Sequence, residues 1–190
     1  MQWTDPEFVV IGLDVSLTGT GVASSHGWSE LIGARGVSTL PLHDRVKAID
    51  RLAQQITDRI GRPDLVAAES AAMVRMAGAV LERHALWWKI MEILTARGLQ
   101  IMEVSPPSRA QYATGKGNAG KNQVVDAVAR RFPDYETNGD DNLCDAIILC
   151  AMGADWAGRS IVEMPAINRK ALSKVKVWSP PVLVSDVTQK

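Results

Sequence analysis

The chain predicts an α/β fold: a mixed five-stranded sheet, three antiparallel strands then two parallel ones, with helices on both faces. Three observations carry this. From Phe8 to Arg35, short β-prone runs are separated by glycine turns, as in a meander. The period then becomes helical, with Val46, Ile49, Leu52, Ala53, Ile56 and Ile60 on one face. After that, two short apolar strands each follow a helix, the pattern of parallel crossovers.

The elements follow in order. Phe8 to Asp14 is an apolar run ending in a carboxylate. Ser16-Leu17-Thr18-Gly19-Thr20-Gly21 is a turn rich in glycine and hydroxyls. Val22 to Ser25 returns as a second strand, His26-Gly27 turns again, and Trp28 to Arg35 is the third strand. Gly61-Arg62-Pro63 ends the first helix, and Asp64 to Glu69 is a strand closing on another carboxylate. A long helix over about 76–97 carries Val80, Leu81, Trp87, Trp88, Ile90, Met91 and Leu94, and Gly98 closes it. Adjacent tryptophans project about 100° apart, so one of Trp87 and Trp88 faces the sheet and the other does not. Leu99 to Val104 is the fifth strand, which Pro106-Pro107 stops. A basic loop, Thr114 to Lys121, leads to a helix over about 121–132. The last strong helix, about 141–157, starts at Asp140-Asp141 and is apolar through Ile147-Ile148-Leu149. Residues 158–190 have no period and contain Pro165, Pro180 and Pro181, so they read as an extended arm on a domain of residues 1–157.

Composition narrows the class. With 190 residues and 46% hydrophobic content, the chain has one domain's worth of core and is not disordered. No run approaches the roughly 20 apolar residues of a membrane span, and the acidic start lacks a signal peptide's basic and apolar regions. A cytoplasmic protein with no membrane partner is expected. Cys144 and Cys150, in an apolar run, read as buried free thiols. Net charge is zero but uneven: Trp156 to Lys190 carries six basic residues against two acidic ones, a net +4 that leaves −4 on the body. A basic tail suits a polyanion.

The carboxylates point to chemistry. Asp14 ends the first strand and Glu69 the fourth. Asp145 lies in the first turns of the last helix, with Asp141 one turn earlier on the same face. If the first and fourth strands are neighbours, Asp14 and Glu69 meet at their carboxyl ends, and the final helix adds Asp145 and Asp141. Converging acids resist ionisation. A divalent cation reverses that cost, and oxygen donors suit Mg²⁺ or Mn²⁺. Two such ions about 4 Å apart serve phosphodiester hydrolysis. Each acid also has a purely structural reading: a helix cap for Asp140 or Asp141, a surface charge for Glu69, an Asx turn for Asp14. Asp145 faces an apolar run, where an unpaired carboxylate costs several kcal/mol.

These residues resemble the RuvC-like Holliday-junction resolvases of the ribonuclease H-like nuclease superfamily, most closely the small versions encoded by bacteriophages. The resemblance rests on Ile11 to Gly21, Val66 to Glu69, Gly117 to Val124 and Asp141 to Ala146, in family order over about 8–157. It implies a ribonuclease H-like fold and a structure-selective, metal-dependent endonuclease cleaving Holliday junctions or other branched DNA. Asp14 and Glu69 match the family's first two catalytic acids and Asp145 the last. The remaining position, three residues before the last acid, is Asn142 here, and Asp141 beside it is the alternative ligand. Asp14, Glu69, Asp141 or Asn142, and Asp145 would hold two Mg²⁺ (or Mn²⁺) ions. Lys121 matches a lysine that contacts DNA near the scissile phosphate; Arg109, Lys116, Arg169, Lys170 and Lys174 complete the expected DNA contacts. The family's aromatic junction wedge, after the second acid, is replaced by Met73, as a wedge or as a core methionine. The long helix implies a homodimer. His26, His43 and His84 match no ligand spacing and read as ordinary surface or helix residues.

Two other classes share parts of this pattern. An actin- or sugar-kinase-like phosphate-binding fold also opens with a strand, an acid and a Ser/Thr/Gly turn, but needs a longer chain and a second phosphate loop. A non-catalytic DNA-binding module of the nuclease fold would tolerate Asn142.

Overall fold

A computed structural model of the chain describes residues 8–71 and 79–180. The strands are β1 (Val10–Asp14), β2 (Thr20–Ser24), β3 (Trp28–Ile32), β4 (Leu65–Glu69), β5 (Gln100–Val104) and β6 (Lys176–Trp178). The helices are α1 (Leu42–Ile60), α2 (Val80–Ala96), α3 (Pro106–Thr114), α4 (Lys121–Arg131), α5 (Asp141–Trp156) and the short α6 (Ala166–Arg169). They form a mixed sheet in the order β3-β2-β1-β4-β5-β6. The β1–β2 and β2–β3 pairs are antiparallel, β1–β4 and β4–β5 parallel. This is the expected meander followed by two crossovers.

The sheet separates two cores. Ile11, Leu13, Val66, Ala68 and Ile101 face α1 and α2, meeting Leu52, Ile56, Leu86, Ile90 and Leu94. Val10, Ala67, Met102 and Val104 face α3, α4 and α5. Helix α5 is buried all round from Leu143 to Asp155, because the sheet, α4 and α3 surround it. Cys144 and Cys150 are buried free thiols, as expected.

The structure corrects three expectations. The sheet has six strands, not five, because β6 pairs antiparallel with β5. Segment 158–178 is therefore not an extended arm. Met164 and Ala171 are buried in the α5 core, and buried Asn168 donates its side-chain amide to the Tyr112 carbonyl at 2.7 Å. Its one proline opens a helix rather than keeping the segment apart: Pro165 is the N-cap of α6. Finally, the fifth strand ends before Pro106-Pro107 as expected, but the pair opens a helix where a loop was expected. Ser105 caps α3 by accepting from the Ser108 amide, and proline suits a first helical turn, whose amides have no intrahelical partner.

Among the described residues, no helix is long and apolar enough to cross a membrane.

Candidate active site

Strand alternation decides what faces α5. On β1, Val10, Gly12 and Asp14 share one face; on β4, Leu65, Ala67 and Glu69 do the same. The parallel register pairs Leu13 with Ala68, so the next residues, Asp14 and Glu69, lie side by side. Helix α5 then comes down on this seam in backbone contact. A methyl group at Gly12 would overlap the Ala146 carbonyl oxygen and the Cys150 nitrogen, and one at Gly21 the Asn142 carbonyl. Only glycine permits that approach. It brings Asp145, itself buried, within electrostatic reach of Asp14 and Glu69.

Arg109 enters this cluster from α3. Its Nε donates to Glu69 Oε2 and one terminal nitrogen donates to Asp145 Oδ1. The cluster is strongly coupled. Burial pushes the Asp14 carboxyl up to about 7, and the charges of Glu69 and Asp145 add to it. Asp145 is also pushed up to about 7, by burial first; Arg109 opposes the rise and Glu69 adds to it. For Arg109, burial disfavours the charge, but the surrounding carboxylates outweigh it and raise its pKa.

Asp140, not Asp141, caps α5, accepting from the amides of Asn142 and Leu143. Asp141 instead pairs with Lys121, which holds its carboxyl below the usual range. The Asn142 side chain lies against the turn at Gly19.

Among the described residues, no group of three or more His, Cys, Asp or Glu side chains is gathered tightly enough to enclose an ion, with Arg109 joined to both Glu69 and Asp145. The donor chemistry nevertheless fits one. Asp14, Glu69 and Asp145 supply only hard oxygen donors, and two of them are destabilised as anions where they stand.

A cavity of about 190 Å³ opens on Asp14 and Glu69. Its other walls include Ser70, Arg83, His84 and Trp87. His84, expected as a surface or helix residue, lies on α2 and also lines this cleft. The available signal was spacing: one helical turn separates it from Trp87, whose indole N–H donates to the Glu69 carbonyl at 2.9 Å. Trp87 packs on the core and Trp88 is exposed, the expected division.

The remaining candidates scatter. Lys116 is exposed in the loop after α3. Arg169 grips the buried Asp155, with Nε–Oδ2 and Nη2–Oδ1 distances of 3.0 Å. Lys170 and Lys174 bound a 3₁₀ turn, where Lys174 Nζ donates to Gln111 Oε1 at 3.0 Å. Met73 lies outside the described residues.

No family model matches the chain. Individual relatives do. A protein of Prosthecochloris aestuarii named crossover junction endodeoxyribonuclease RuvC is 31% identical over 162 residues, 80% of this chain and 85% of that one. The Synechococcus protein of the same name is 29% identical over 150 residues, 76% of this chain and 96% of its own. Among solved structures, Thermus thermophilus RuvC superposes with a TM-score of 0.57 at 21% identity, covering 83% of this chain and all of that one. The same protein in complex with a Holliday junction substrate gives 0.59 at 18%, covering 84% of this chain. These structures establish a shared fold, and the sequence relatives establish descent: the chain belongs to the RuvC family of crossover junction endodeoxyribonucleases.

Proposed function

We propose that the protein is a structure-selective endodeoxyribonuclease that hydrolyses phosphodiester bonds in Holliday junctions or related branched DNA. The observation that carries this is the convergence of Asp14, Glu69 and Asp145 at one sheet edge, two of them with carboxyls pushed up to about 7. That strain has no structural return, and it suits a site built for cations.

Asp14, Glu69 and Asp145 would hold two Mg²⁺ or Mn²⁺ ions, with Asp141 or Asn142 completing the set. Such ions activate an attacking water and stabilise the leaving oxygen. The chain's own groups do the rest. Asp14, beside Glu69 and below α5, would be a ligand in that set. Arg109 neutralises Glu69 and Asp145 in their absence. Lys121, exposed at the start of α4, positions Asp141 and offers a cation to a phosphate. Lys116, Lys170 and Lys174 would contact the DNA backbone. A homodimer using the α2 side, where Trp88 is exposed, would place two sites on opposing strands of a junction. Work on DNA inside a bacterial cytoplasm accords with this activity.

The test is cleavage of a panel of labelled DNAs (four-way junction, fork, flap and linear duplex) with Mg²⁺, with Mn²⁺ and with chelator. Metal-dependent cuts in the branched substrates are expected. Uncut junctions under every metal condition would refute the proposal.

A further inference from the structure

A second, larger cavity of about 340 Å³ adjoins the catalytic one, and the acid cluster makes no use of it. Its walls include Ser16 and Thr18 from the turn after β1, Ser38, the start of α2 at Ala79 and Val80, and Arg83, beside apolar Leu17 and Val37. Arg83 is the residue that lines both this cavity and the cleft over Asp14 and Glu69.

The state of Arg83 is informative. Arg109 and Lys121 each pair with an acid of the site. Arg83 does not: its guanidinium has neither ion pair nor hydrogen bond among the described residues, although it is half-buried beside an acidic cluster. A partly desolvated, unpaired guanidinium is costly unless an anion arrives. The Ser16, Thr18 and Ser38 hydroxyls likewise have no hydrogen-bond partner among the described residues. Yet the turn that carries two of them is rigid. Thr20 Oγ1 donates to the Ser16 carbonyl at 2.6 Å and accepts from the Ser16 amide at 3.1 Å. The Ala34 amide fixes Leu17 from the far side at 2.7 Å. The start of α2, at Ala79 and Val80, opens on the same space. Cation, hydroxyls and helix start converge where the catalytic cleft continues.

We propose that this cavity receives the nucleotide next to the scissile phosphate. Arg83 grips that nucleotide's own phosphate, and Ser16 and Thr18 contact its sugar–phosphate oxygens. The inference rests on the nuclease reading and adds to it a subsite that fixes the register of the strand over the acids. A planar guanidinium suits phosphate in a bidentate mode that lysine cannot reproduce.

The test uses the full chain and a labelled four-way junction whose cut position is first mapped in Mg²⁺. Neutral methylphosphonates then replace, one at a time, the phosphates flanking that position, and affinity is read by anisotropy in chelator. For the native protein, one flanking substitution is expected to weaken binding about tenfold, the scale of a charge-assisted contact. Arg83→Gln is expected to lose a similar factor on unmodified DNA and to be insensitive to that same methylphosphonate. Arg83→Lys should recover part of the affinity. Mn²⁺ binding by free Arg83→Gln protein, read by electron paramagnetic resonance, should match the native protein, which shows that the acids are intact. If the native protein cleaves junctions while Arg83→Gln binds as tightly and responds to every flanking methylphosphonate as before, the subsite is refuted and the nuclease reading stands. A native protein that neither binds nor cuts any branched DNA refutes both.

Discussion

Helix α5 carries a buried carboxylate near each end, and the two live in opposite surroundings. Asp155 is fully answered: Tyr112 donates its hydroxyl at 3.1 Å, Ser160 at 2.6 Å, and Arg169 approaches both oxygens. Asp145 faces Asp14, Glu69 and Asp141 across a crowded edge, with Arg109 as its neutralising partner. Burial alone does not mark a functional acid. What marks it is burial among like charges that the fold leaves incompletely compensated. The Asp155 constellation is a latch that holds the C-terminal segment on α3 and α5. The Asp145 constellation costs stability and is kept for another purpose.

Mutation can break this comparison at either end. The largest effect is expected for Asp14→Asn, which should lower cleavage at least about a thousandfold, on the order of 4 kcal/mol of transition-state stabilisation. Junction affinity should stay near the native level, since the basic contacts remain. Cleavage rates and anisotropy on the same preparation check both parts; near-native turnover at saturating Mg²⁺ would remove Asp14 from the site. At the other end, Asp155→Ala should destabilise the fold by about 1–3 kcal/mol, chiefly because the buried Tyr112 hydroxyl loses its acceptor. Denaturant melts measure it, and the fraction still folded should cleave at close to the native rate.

The pH dependence sharpens the contrast. Asp14 and Asp145 titrate near 7 in the fold against an ordinary value of 3.8. The folded protein therefore keeps their protons to a higher pH than the unfolded chain does. Their contribution to stability is complete below about pH 4 and is lost as pH rises through 7. In chelator, the melting temperature should fall between pH 5.5 and 8 more steeply than in Asp14→Asn, and Mg²⁺ should restore it at the alkaline end. Parallel profiles for the two proteins would mean that the cluster is not strained. Next in size, Asp141→Asn should lower activity about tenfold, or about 1.4 kcal/mol, and Asn142→Ala less. Asp140 already supplies the cap, so Asp141→Asn should leave the melting temperature nearly unchanged. The smallest effect belongs to Lys170 and Lys174. Neutralising both should flatten log affinity against log salt by up to about 0.9 per lost phosphate contact, alike for all duplex substrates. An unchanged slope would put the electrostatic load on Lys116 and Lys121.

Much of the sheet was legible because its signals are local. Terminal carboxylates on two apolar strands, plus a crossover of fitting length, were enough to place Asp14 beside Glu69. The Asp141-to-Asp145 spacing was enough to aim the last helix at them. Four features were not legible, each for a physical reason. Pro106-Pro107 carries the same stop signal whether it ends a strand in a loop or opens a helix, and only the Ser105 cap distinguishes them. Strand β6 is three residues long, Lys-Val-Trp, and owes its conformation to pairing with β5 rather than to any pattern of its own. The role of Arg109 as the partner of Glu69 and Asp145 depends on α3, so it stayed hidden as long as that helix did. The place of His84 in the cleft depends on the rotation of α2, which the spacing to Trp87 reflects only once Trp87 is known to bond to Glu69.

The late position of β6 in the chain has a consequence for biosynthesis. Helix α3, which carries Arg109, packs on the 3₁₀ turn and α6, which come after α5 in the order of translation. A nascent chain that has emerged only through α5 already contains Asp14, Glu69 and Asp145. It still lacks the β6 edge, the Arg169 clasp on Asp155 and one side of the surface on which α3 rests, the other side being α4 and α5. The acids and Arg109 are made early and part of the packing behind α3 late, so the support of the helix that carries Arg109 is complete only once synthesis has passed Lys174.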